Sequence, residues 1–121
     1  MSMSNYAVGI DIGGTNTKFG IVDRNGHIIE QDRMASNEHE EVGEFIEELI
    51  SKLDPMIQRA GGKSNFAGIG VGAPNGNYYT GTIEYAPNLK WKGIIPIAKM
   101  FTDRTGLATQ LTNDANAAAV G

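Results

Sequence analysis

Two short stretches carry residue types that could do chemistry. In "GIDIGGTNTKFGIVD" an alternating apolar run delivers Asp11 to a bend made of Gly13, Gly14 and Thr15, and the chain then turns apolar again through Phe19, Ile21 and Val22. Two glycines without Cβ atoms let backbone amides approach an anion closely, and Thr15 adds a hydroxyl donor, so the bend suits phosphate oxygens. Asp11 just before it is the kind of single carboxylate that holds a hydrated magnesium ion beside a phosphate. A plain hairpin turn also uses Gly-Gly, and on this feature alone both readings stand. In "LTNDANAAAVG" Asp114 follows an apolar segment and precedes a run of small residues. A carboxylate at the C-terminal end of a strand in an α/β sheet is placed to take a proton from a substrate hydroxyl. Asn113 or Asp114 equally serves as a helix cap, contributing about 1 kcal/mol.

The elements that must position these residues follow from periodicity. Tyr6 to Ile12, Thr17 to Val22 and His27 to Met34 alternate as three antiparallel strands, the last two joined by Asp23-Arg24-Asn25-Gly26. Val42, Phe45, Ile46, Leu49, Ile50, Leu53 and Ile57 recur at helical spacing opposite a glutamate-rich face, with Pro55 marking a kink or a restart. "FAGIGVG", Phe66 to Gly72, reads as a central strand buried on both faces. Ala73 to Pro87 is a binding loop with room for a hairpin at Thr82-Ile83-Glu84. Ile94 to Thr105 is expected to be helical, Leu107 to Thr112 a last strand, and the residues after it a final helix. The order gives an α/β fold with a mixed sheet, three antiparallel strands followed by parallel strands with helices on the faces.

Composition narrows the function classes. With 121 residues the chain is expected to form one domain. Its net charge of -4, with no basic cluster, argues against a nucleic-acid partner. No apolar stretch approaches the roughly 20 residues that span a bilayer, the first residues carry no secretory pattern, and the absence of cysteine fits a reducing cytoplasm. The Gly13-Gly14 bend is not a Walker loop, because no helix follows it, and Gly68-Ile69-Gly70-Val71-Gly72 lacks the spacing of a dinucleotide fingerprint. His27 and His39 are expected on the surface, not in a metal site.

The four stretches "GIDIGGTNTKFGIVD", "GIGVGAPNG", "YAPNLKWKGIIPI" and "NDANAAAVG", in this order, resemble the N-terminal half of the ROK sugar kinases, the bacterial glucokinase group within the actin-like ATPase superfamily. The resemblance implies a ribonuclease H-like lobe whose first hairpin bends around the phosphates of ATP. It implies Asp11 as the magnesium-side carboxylate, Gly13, Gly14 and Thr15 as the phosphate loop, and Lys18 within the pattern Gly-Gly-Thr-x-x-Lys-x-Gly. It further implies Asn113 as a ligand of a sugar hydroxyl, Asp114 as catalytic base, and Gly76 (through its backbone) and Asn88 as sugar contacts from the two loops. For Lys18 a solvated strand residue, and for Asn88 a turn residue, remain the rival readings.

Two departures from the family pattern stand out. Ala73-Pro74-Asn75-Gly76-Asn77 replaces the frequent Ala-Pro-Gly-Pro. The chain also ends at Gly121, so the second lobe, with its adenosine pocket, further sugar ligands and structural zinc, is expected to lie outside it. The expectation is therefore the N-terminal lobe, residues 1–121, of an ATP- and Mg²⁺-dependent kinase acting on a hexose or amino sugar, homo-oligomeric when full length and inactive as this piece alone. The alternative is a sugar-binding transcriptional regulator of the same family. Such regulators carry an N-terminal helix-turn-helix, whereas this sequence starts directly on the first strand.

Overall fold

The computed structural model describes residues 5–87 and 89–112. Three strands open the fold, β1 (Tyr6–Ile12), β2 (Asn16–Asp23) and β3 (Ile28–Ala35), followed by α1 (Val42–Arg59) and, after a single 3₁₀ turn at Lys63–Asn65, by β4 (Phe66–Gly72). A small antiparallel sheet of β5 (Gly76–Asn77), β6 (Thr82–Glu84) and β7 (Ile94–Ile95) intervenes before α2 (Ile97–Thr105) and β8 (Thr109–Thr112). The main sheet runs β3-β2-β1-β4-β8, antiparallel through the first three strands and parallel from β1 to β4 to β8.

Register sorts the side chains. Val8 pairs with Ile21 and Ile69, Ile10 with Phe19 and Val71, and Val71 with Leu111, so one face of the sheet is a continuous apolar floor. All of these are buried, and α1 and α2 cover them with Phe45, Ile46, Leu49, Leu53, Ile57, Ile97 and Phe101. Trp91 closes one end of this core, its ring centroid 4.6 Å from that of Phe45.

The opposite face carries Gly20, Gly9 and Gly70 side by side across β2, β1 and β4. β4 is interior to the sheet as expected, but it is not buried on both faces among the described residues, since Ala67 is exposed and Gly70 half-buried. Its unbroken apolar appearance comes from glycines at 68, 70 and 72 alternating with Ile69 and Val71, so the true pattern is an alternation of large and absent side chains.

Both prolines near helices act through local sterics. Pro55 sits inside α1, which neither stops nor restarts there; the residue is exposed, so the carbonyl left without a donor faces water. Pro96 excludes helical geometry at the residue before it, so Ile94 and Ile95 pair as a strand and α2 begins only at Ile97, later than periodicity suggested. Gly106, at φ 78, stops α2 in the left-handed conformation, its N–H donating to the Thr102 carbonyl.

Candidate active site

The turn between β1 and β2 lies at the C-terminal end of β1. Asp11, the last residue but one of β1, is in register with Gly72 of β4, and Gly72 with Thr112 of β8. Because the three strands are parallel, their C-terminal ends share one edge of the sheet, and Asp11 and Thr112 are two strand spacings apart, about 10 Å. Asn113 and Asp114 continue directly from Thr112 and, like Asn88, lie outside the described residues.

The Gly13–Thr15 turn is held from one side. The Ser36 hydroxyl donates to the Gly13 carbonyl at 2.5 Å, and since it has one proton to give, the buried Thr17 hydroxyl is the donor in the 2.8 Å bond between Thr17 and Ser36. The Asn37 side-chain amide donates to the Gly14 carbonyl. In a trans peptide the carbonyl and the following N–H point in opposite directions, and no peptide bond here is cis. Pinning the carbonyls of Gly13 and Gly14 to the β3 side therefore turns the N–H groups of Gly14 and Thr15 together to the other side. Among the described residues neither N–H has an acceptor, Thr15 is exposed and Gly14 half-buried. Two adjacent amides pointing the same way, at the end of a strand, form an anion-binding concavity. Gly13 is required by the tightness of the bend: a Cβ there would come within 2.8 Å of the Asn16 carbonyl oxygen.

Lys18 is exposed and stands directly opposite Asp11 on β2, with Arg33 next to it on β3. Among the described residues none of the three takes part in an ion pair. Asp11 is half-buried, with Lys18 beside it on β2, Arg33 one strand further out on β3, and Gly72 on its other side; among the described residues its carboxylate has no hydrogen-bond or ion-pair partner. Among the described residues no three acidic or histidine side chains gather into a metal cage. One carboxylate beside two outward-facing amides is a donor set that would suit magnesium, which keeps most of its waters and takes phosphate oxygens as further ligands.

The loop expected on the sugar side is a braced hairpin. Asn75 lies at φ 56, where the family pattern reads Gly; asparagine is among the few residues that adopt this conformation readily. Its side chain donates to the carbonyls of Glu84 and Tyr85, at 3.0 and 3.2 Å, and its own carbonyl accepts the Glu84 N–H. The backbone course thus tolerates the departure from the family pattern. Gly76 pairs with Ile83, and its N–H reaches the Ala73 carbonyl at 3.3 Å. The Glu84 carboxyl, accepting from Thr82 first and then from Asn77 and Thr80, is held below the usual glutamate range.

Among the described residues each histidine stands beside one carboxylate. His27 is exposed in the turn before β3, 3.4 Å from Asp23. His39, expected on the surface, is half-buried: its Nε2 lies 2.6 Å from Glu48 Oε1, and its carbonyl accepts the Trp91 indole N–H at 3.2 Å. The bond from His39 is the main cause of a lowered Glu48 pKa. A carboxyl more acidic in the folded chain contributes stability above its ordinary value of 4.5, and that contribution is lost as pH falls through the lowered folded value. Glu48→Gln is expected to flatten the acid limb of a stability-against-pH curve below about pH 5 and to leave it unchanged near neutrality in shape. An acid limb identical to that of the parent in urea titrations would show that the pair contributes nothing.

Sequence reasoning missed Ser36 and Asn37. A signal existed in the hairpin register: with Asn16 opposite Ala35, the next two residues of β3's continuation must lie beside the turn, and they are short polar residues able to accept or donate.

Comparison with known proteins decides the family. The ROK family model matches residues 7–121. The chain belongs to the ROK family. The ROK chain is 31% identical over 118 residues to a glucokinase of Halalkalibacterium halodurans, covering 96% of this chain and 36% of that protein. It is 33% identical over 86 residues to a xylose repressor of Caldicellulosiruptor bescii, covering 66% of this chain and 21% of the repressor. Among solved structures, the ROK glucokinase of Streptomyces griseus in complex with glucose and AMPPNP superposes with a TM-score of 0.75 at 26% identity, over 92% of this chain and 34% of that one. The fold is thus that of the ROK sugar kinases of the actin-like ATPase superfamily, and the chain spans about a third of the glucokinase it matches.

Proposed function

We propose that this chain is the N-terminal lobe of an ATP-dependent hexose kinase. The observation carrying the proposal is the shared sheet edge: the outward-facing amides of Gly14 and Thr15 and the Asp11 carboxylate stand at the same end of the sheet as the strand that leads into Asn113 and Asp114. The S. griseus glucokinase, bound to glucose and AMPPNP, supports the choice of ligands.

On this reading Gly76, Asn88 and Asn113 hold the sugar, and Asp114 accepts the proton of its primary hydroxyl. The oxygen so freed attacks the γ-phosphorus of ATP, the bond to the bridging oxygen breaks, and ADP leaves. The Gly14 and Thr15 amides and the Lys18 ammonium hold the phosphate oxygens through the transfer. Bound beside Asp11, Mg²⁺ supplies charge neutralisation for those oxygens. Such catalysis is mostly positioning and electrostatics, so half of a cleft accomplishes little and the 121-residue piece alone is expected to be inactive. The complete protein is read as a homo-oligomer that needs neither nucleic acid nor membrane and works in the cytoplasm.

The xylose repressor relative supports a second reading, in which the same lobe binds a sugar and transfers nothing. The product of the complete reading frame that contains this chain separates the two. With glucose, ATP and Mg²⁺, stoichiometric ADP release and a new phosphomonoester signal in ³¹P NMR are expected. Saturable glucose binding without ADP release, together with retention of promoter DNA, would establish the regulator instead.

A further inference from the structure

We propose that Asn37 is a positioning residue that joins the phosphate side of the site to its sugar side through a single side-chain amide; the inference rests on the kinase-lobe reading above. Its Nδ2 donates to the Gly14 carbonyl, which orients the Thr15 N–H, while its Oδ1 accepts the backbone N–H of Lys90 at 3.0 Å. The two groups it connects belong to segments far apart in sequence: the β1–β2 turn, and the Leu89–Trp91 stretch that immediately follows Asn88.

Both anchorages are firm. On the turn side Ser36, the neighbouring residue, holds the Gly13 carbonyl, and its own N–H donates to the Thr15 carbonyl at 2.9 Å. On the other side Leu89 and Trp91 are buried, and the Trp91 indole donates to His39 two residues beyond Asn37. Residues 36–39 therefore form a strap between the two halves of the site, and Asn37 is the point where the strap grips both. The gripping requires one donor and one acceptor on a short planar group. Aspartate keeps the acceptor for Lys90 but has no proton for Gly14, alanine keeps neither, and glutamine is one methylene too long for the same spacing.

Consequently the aim of the Thr15 amide and the course of the segment beside Asn88 are not independent. The test uses the product of the complete reading frame, with AMPPNP and glucose as probes, and compares Asn37→Asp with Asn37→Ala by titration calorimetry. Asn37→Asp is expected to weaken AMPPNP about tenfold while glucose stays within twofold, because the Gly14 grip is lost and a charge is added, while the acceptor for Lys90 is kept. Asn37→Ala is expected to weaken both ligands at least fivefold. Affinities for both probes within twofold of the parent in the alanine variant would overturn the proposal.

Amide exchange of the unliganded protein provides the second readout, which a merely destabilising substitution does not reproduce. Lys90 N–H should exchange faster in Asn37→Ala but remain as slow as in the parent in Asn37→Asp. In the parent, adding AMPPNP should slow Lys90 exchange although Lys90 belongs to the other segment; no change there sinks the coupling. If the parent binds neither probe, the kinase reading fails, and the Lys90 exchange pattern still decides whether Asn37 bridges the two segments.

Discussion

Asp114→Asn in the complete protein is expected to lower kcat by about 10²–10⁴, the usual worth of a positioned general base, with glucose affinity within about threefold of the parent. Asparagine has the same shape as aspartate and its carbonyl oxygen can still cap a helix or accept a hydrogen bond, so folding and sugar binding survive. What it cannot do is take the proton of a hydroxyl. The two roles open to Asp114 therefore separate cleanly: a kcat within tenfold of the parent in Asp114→Asn removes the base, and an unchanged kcat in Asp114→Asn with thermal stability lowered in Asp114→Ala identifies a cap. In sequence the position comes two residues after Thr112, where β8 ends on the sheet edge that also bears Asp11 and the turn amides; Asp114 itself lies outside the described residues.

The second large effect concerns stability. Gly20→Ala is expected to destabilise the chain by about 3 kcal/mol, at the upper end for overpacking, with a drop in Tm of roughly 10 °C or more. A Cβ at this position would lie 2.2 Å from the Glu30 carbonyl oxygen and 3.0 Å from the Gln31 Cα, both backbone atoms of the paired strand β3. No side-chain rotation relieves such a clash; β2 and β3 must separate next to the irregularity already present between Ile21 and Val22. Gly43→Ala supplies the contrast. Its Cβ would meet only the end of the Arg104 side chain at 3.5 Å, and in the first turn of α1 alanine is favoured by about 0.5–1 kcal/mol. Equal Tm shifts for the two variants would refute the packing argument.

Much of this architecture was legible because the apolar residues obey the period of their elements. The apolar positions of α1 and the alternation in β1 and β2 specify which face is inside, and the two hairpins set β1, β2 and β3 side by side; that β4 pairs with β1 is visible only in the structure. The start of α2 was misread because Ile94 and Ile95 fit a helical stripe, and the steric demand of Pro96 on its predecessor outweighs periodicity. At the site, Gly13, Gly14 and Asp11 announce themselves by type and spacing. Ser36 and Asn37 do not, because their importance lies in which carbonyls they reach, and that depends on strand register. His39 was read as a surface residue because a lone histidine in a glutamate-rich stretch carries no sign that Trp91 will arrive beside it from the far part of the chain.

The parallel pairing of β1 with β4 bears on how this chain reaches its native state. The β1–β2–β3 meander joins neighbours in sequence and can assemble by local closure, whereas Val8 meets Ile69 only after all of α1 has been traversed. Non-local pairing of this kind places refolding on the slow side, in roughly the millisecond-to-second range. The β1–β2 bend is therefore expected to form with the local meander, before the parallel pairing of β1 with β4.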